Sequence, residues 1–193
     1  MKKKKAFLLV ACAVLLVVAS VMGTMAYLTD SASVTNTFTV GKVDIKLDES
    51  TVNEYGEHTN PAGRAEAGNT YKLIPGHEYV KDPIVTVLAG SEASWLFVKV
   101  ENEISAIEAT TNTIAAQITA NGWNALEGVN GVYYKEASAT SNNDAQYKVF
   151  EKFTIADDAV TTDYASKTVK ITAYAIQKDG FTTAAAAWTE VSK

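Results

Sequence analysis

His77-Glu78 is the pair in this chain that most resembles catalytic chemistry. It begins like His-Glu-x-x-His, where two imidazoles one helical turn apart share a zinc ion and the glutamate serves as base. The position for the second histidine holds Lys81. The pair also follows Pro75-Gly76 and precedes Tyr79-Val80, a turn running into a strand rather than a helix. No metal site is expected there. The other histidine, His58, falls in a polar stretch and reads as solvated. The acidic pairs Asp48-Glu49 and Asp157-Asp158, with Asp163 and Asp179 apart from them, match no EF-hand spacing. A loop calcium site stays open beside the plainer reading of solvated acids. No glycine loop of the phosphate-cradling kind is present. What remains is a substrate-like feature, Thr24-Met25-Ala26, a small-x-small triplet that a signal peptidase accepts, with Tyr27 first after the cut.

The flanks of that triplet support cleavage. Lys2–Lys5 form a positive start, and Ala6–Met22 is apolar apart from Cys12 and Ser20. Charge, apolar run and small residues in that order read as a secretory signal over residues 1–26. The run is about 17 residues, the low edge of a membrane span, so a retained anchor is the alternative. No Lys or Arg cluster follows to stop transfer. Cys12 is the only cysteine; Leu9-Val10-Ala11-Cys12 loosely fits lipoprotein cleavage, but a cut there would strand Ala13–Val18 on the exported chain. Cys12 reads as a small apolar residue of the signal. The chain after Ala26 then lacks both a cysteine nucleophile and disulfides, so core burial must hold the fold.

Four of the 17 basic residues lie in the signal, leaving 13 against 22 acids and a net charge of −9 on residues 27–193. That balance excludes a general nucleic-acid binder, which needs a basic face, and favours solubility outside the cell. The 167 residues after Ala26 suit one domain.

The elements that would position any site are mostly strands. Val34, Asn36, Phe38 and Val40 share one face of an extended segment, with Ser33 and threonines largely opposite. Val43, Ile45 and Leu47 alternate with Lys42, Asp44, Lys46 and Asp48, a half-buried strand. Residues 50–70 read as a long polar loop. Tyr71–Ile74 reads as a short strand, and Tyr79–Leu88 as one that lies at an edge or starts late because of Pro83. Trp95–Val100 is apolar on both faces, which suggests a central strand covered on each side. Ile104, Ile107, Ile114 and Ile118 fit a helical face broken near Thr110–Thr113. Asn130-Gly131 suggests a two-residue hairpin turn. Tyr147–Ile155 and Thr168–Ile176 read as further strands, and Thr182–Val191 as a capped helix docked by Trp188. The expected class is all-β: a jelly-roll-like two-sheet sandwich with a short helical insertion and a short C-terminal helix.

The blocks Gly23–Asp30 and Asn36–Ile45 resemble the start of the TasA/camelysin family, Gram-positive exported proteins whose signals are cut by a SipW-type signal peptidase. Leu73-Ile74-Pro75-Gly76, Lys81-Asp82-Pro83, Gly90-Ser91 before Trp95, and Gly180–Trp188 are further, looser likenesses. The resemblance implies a jelly-roll fold, a place in the biofilm matrix or on the cell surface, and subunits joined by donor-strand exchange. In that reading Tyr27, Leu28, Val34, Phe38 and Val40 form the assembly strand, and the chain is a secreted fibre subunit and homo-oligomer, not an enzyme, with no cofactor and no nucleic-acid partner. An accessory matrix protein is left open as a further partner. The rival readings are a first strand kept within its own domain, a monomeric cell-surface binding module using loops 50–70 and 137–144, and a camelysin-like metalloprotease, which the missing second histidine disfavours.

Overall fold

Alternation of apolar and polar residues at Ile45–Asp48, and again at Val169–Ile176, produces two of the strands that frame the molecule. The computed structural model describes residues 42–164 and 166–193, together with the helical positions of Cys12 and Leu15. Contacts divide the chain into residues 1–39 and 40–193, and the second unit holds the sheets. Its strands are β1 (Ile45–Ser50), β2 (Arg64–Ala65), β3 (Glu78–Val80), β4 (Ile84–Val87), β5 (Ser94–Asn102), β6 (Asn124–Ala125), β7 (Val132–Ala137), β8 (Ala145–Lys148), β9 (Lys152–Thr154) and β10 (Val169–Gln177). Two short helices, α1 (Ile114–Ala120) and α2 (Ala184–Val191), complete it with a 3-10 turn at Thr162–Tyr164.

All described pairings of named strands are antiparallel. They form a sheet ordered β2-β1-β4-β8, a second ordered β10-β5-β7-β6 and a two-stranded β3-β9. The architecture is an all-β sandwich with two short helices. β5 is its central strand, as the two-faced apolar pattern implies. Leu96 and Val98 enter the main core with Val85, Phe150 and Ile155, whereas Trp95 and Phe97 face a second cluster with Ala184 and Ala187 of α2. Thr183 caps α2 by accepting from the Ala186 N–H at 3.2 Å, and Trp188 docks edge-on against Tyr174.

Several expected elements differ. Tyr71–Ile74 is not a strand. Its backbone groups go elsewhere: the Lys72 N–H donates to the Glu54 carbonyl, the Tyr79 hydroxyl donates to the Lys72 carbonyl and accepts from the Ile74 N–H, and the Tyr71 hydroxyl donates to the Val80 carbonyl. Tyr79–Leu88 divides at Pro83 into β3 and β4, and β4 starts directly after the proline at a central position. Tyr147–Ile155 divides into β8 and β9 because α1 and its cap intervene. Asn121 and Trp123 donate to the Val149 and Lys148 carbonyls at 3.0 and 2.8 Å, and the Glu151 N–H donates to Gln117 at 3.0 Å. Of the isoleucine face only 114–120 is helical, although all four isoleucines are buried. Residues 107–109 pair with the end of β9, the Ala109 N–H donating to the Thr154 carbonyl at 2.8 Å. The β6–β7 hairpin has a longer loop than two residues: Gly131 takes positive φ, but Asn130 does not, so the two-residue turn with both centres positive is absent. Residues 50–70 hold β2 and a bridge between Val52 and His58 rather than plain loop.

Candidate functional site

Among the described residues, β10 lies at the end of its sheet, paired on one side only with β5. The Thr168 carbonyl accepts from Glu103 N–H and Lys178 N–H donates to Ala93. By antiparallel alternation the even-numbered residues of β10 therefore bond β5, and Val169, Ile171, Ala173, Ala175 and Gln177 turn their N–H and C=O groups to the side that has no partner among the described residues. The first four of these also pack against the main core. β1 has a matching feature. Its contact with β2 covers only Glu49 and Ser50, so the backbone groups of Ile45 and Leu47 face a side with no strand partner among the described residues. The two edges come within 8 Å, Cα to Cα, in places. Beside them a cavity of about 850 Å³ opens between Leu47–Glu49, the 65–73 segment and Thr168–Ile171, over Ile104 and Phe153.

A dense charge network meets the cavity at Asp48. Arg64 bonds Asp48 through Nε at 2.6 Å and Asp82 through Nη1 at 2.7 Å, and adds both residues' carbonyls through Nη2. Asp82 also accepts from the Ser50 N–H at 2.7 Å. Burial alone would push Asp82 and Asp48 up, but the hydrogen bonds from Ser50 and Arg64 to the first, and from Arg64 and Lys46 to the second, outweigh it and hold both below the usual carboxylate range. On the floor, the buried Lys81 ammonium meets Glu49 Oε2 at 2.5 Å, and Glu49 Oε1 accepts from the Asn69 side chain at 2.8 Å and its N–H at 3.1 Å. Tyr71 is pushed up by its burial and by the Glu49 charge.

The histidines hold no metal geometry. His77 Nε2 lies 2.8 Å from the Tyr55 carbonyl and its ring packs edge-on to Tyr79, while His58 is exposed. Among the described residues no three His, Cys, Asp or Glu side chains converge as a metal site, and no helix is long and apolar enough to cross a membrane. The residues expected at the cleavage site (Thr24, Ala26, Tyr27) and in the assembly strand (Tyr27, Leu28, Val34, Phe38, Val40) lie outside the described residues. Sequence reasoning missed the cavity and the role of Lys81, which in the sequence only fills the place of a histidine. The alternating pattern of β10 is visible in the sequence, but not that its outer edge has no neighbour among the described residues.

Neither the curated proteins nor the solved structures give a match to the chain. The family model described as camelysin metallo-endopeptidase matches residues 1–59. That stretch, under a third of the chain, takes in both the Gly23–Asp30 and Asn36–Ile45 blocks, so the likeness to the camelysin family is confined to the N-terminal part.

Proposed function

We propose that the chain is a secreted structural subunit of extracellular matrix fibres, in which residues 27–40, freed by a SipW-type signal peptidase, add as a strand to the next copy. The observation that carries this reading is the β10 edge, without a partner among the described residues, beside a cavity whose lining includes Leu47, Ile104, Phe153 and Ile171. Unpaired edges invite strand addition, and natural proteins usually blunt them. β10 is nine residues long, contains no proline, and turns its free backbone groups out from residues whose side chains lie inside. An added strand would gain main-chain hydrogen bonds along this edge, with alternate side chains directed at the cavity. Val34, Phe38 and Val40 are the apolar residues on one face of the segment. A contact of this kind, repeated head to tail, does not close on itself and generates a filament. Anchored by an uncut signal, the segment would be held at the membrane, so proteolysis would license assembly outside the cell.

Deleting residues 27–40 from the cleaved chain should leave a folded monomer that forms no filaments by electron microscopy. Loss of the fold on that deletion would place the segment inside its own sandwich and overturn the reading.

A further inference from the structure

We propose that Lys81 sets the register of the fibre contact by demanding a hydrogen-bond acceptor from the inserted strand, and that Asn36 of a second copy supplies it; this rests on the fibre reading above. Lys81 is 6% exposed. An ammonium has three N–H donors, and among the described residues its side chain meets one partner, Glu49. Glu49 is differently placed, because Lys81 holds one oxygen and Asn69 donates twice to the other. Glu49 accepts three hydrogen bonds, whereas among the described residues the ammonium uses one of its three donors, so this part of the cavity floor presents donors. A buried charge is costly unless its hydrogen bonds are completed. The fitting occupant therefore brings an acceptor into an otherwise apolar contact.

Residues 34–40 have that composition. Val34, Asn36, Phe38 and Val40 fall on one face, and Asn36 is the single polar residue among them. With the Asn36 side-chain carbonyl over Lys81, Val34 and Phe38 fall about 7 Å to either side. A slip of one residue turns Thr35 or Thr37 inward in place of the apolar pair, and a slip of two puts Val34 or Phe38 against the ammonium. One polar contact in an apolar seam thus selects a single alignment, as a lone buried asparagine does in coiled coils.

The test compares the critical concentrations for polymerisation of the cleaved chain, residues 27–193, and its variants by sedimentation. Asn36→Leu adds apolar surface, so a purely hydrophobic groove predicts tighter assembly. Loss of the contact with Lys81 predicts the opposite, a critical concentration raised about tenfold or more. Asn36→Asp keeps an acceptor and should assemble at least as well as the parent. In a Lys81→Met chain that circular dichroism shows to be folded, Asn36→Leu should have no further weakening effect; if Lys81→Met does not fold, the Leu and Asp variants decide alone. Unchanged or tighter assembly of Asn36→Leu, or an Asn36→Asp chain as weak as Asn36→Leu, overturns the contact. Phe38→Asp is measured alongside. If it too assembles like the parent, or if the parent stays monomeric, strand insertion itself fails and the Lys81 contact with it.

Discussion

Arg64 holds two carboxylates that would otherwise repel each other beside the cavity. Its guanidinium fork joins Asp48 on β1 to Asp82 in the segment before β4, and both carbonyls of those residues accept from it as well. A lysine could not reproduce this planar, many-donor arrangement. Arg64→Ala leaves both half-enclosed carboxylates without their main partner and should cost about 2 kcal/mol of stability, measured by urea unfolding at neutral pH. The pH dependence follows from the direction of the shifts. Asp48 and Asp82 titrate lower in the fold than in the open chain, so their contribution is complete above the ordinary carboxylate pKa. It declines as pH falls through that value toward the depressed folded one. The difference in stability between parent and Arg64→Ala should therefore shrink on acidification below about pH 4. A difference that stays constant across that range would show that Arg64 acts through packing alone. Glu108 has the opposite sign. Burial raises it, despite hydrogen bonds from the Ile114 N–H and Asn102, so ionising it opposes folding as pH rises through its folded pKa.

At the scale of the element, β10 separates two roles of one strand. Its even-numbered backbone groups hold the sheet together, and its odd-numbered ones face outward. Ala173→Pro therefore removes an N–H that β5 does not use, which is where an edge strand tolerates proline. The variant should keep its far-ultraviolet spectrum and lose most of its filament formation; unfolding would instead mean that the ladder register is one residue away from that described. The same strand marks how far the sequence can be read. The alternation at Val169–Ile176 and the two-faced apolar run at Trp95–Val100 are local patterns, and both elements form as their periodicity requires. Tyr71–Ile74 has the same local signature, yet the Tyr79 hydroxyl takes its backbone groups, a contact from outside the segment. The break in Tyr147–Ile155 has a similar origin, since Gln117, Asn121 and Trp123 come from a distant helix and its cap. Neither the place of β10 at the end of its sheet among the described residues nor the burial of Lys81 is written in local periodicity. Both depend on which neighbours the chain brings near, and in the sequence Lys81 is only a polar residue shortly before a proline.

At the scale of the whole molecule, a sheet edge with no partner among the described residues and an N-terminal segment of strand-like composition belong to the same chain. The central claim is that they meet between copies. Since residues 27–193 contain no cysteine, introduced thiols report contacts without background. Two single variants, Phe38→Cys and Ile171→Cys, can be mixed during assembly under mild oxidation. The account predicts a disulfide dimer that joins one copy of each variant, abundant only in the mixture and suppressed when the Ile171→Cys copy also carries Ala173→Pro. No mixed disulfide under assembling conditions, or a Phe38→Cys/Ile171→Cys double variant that closes only on itself as a monomer, would contradict it.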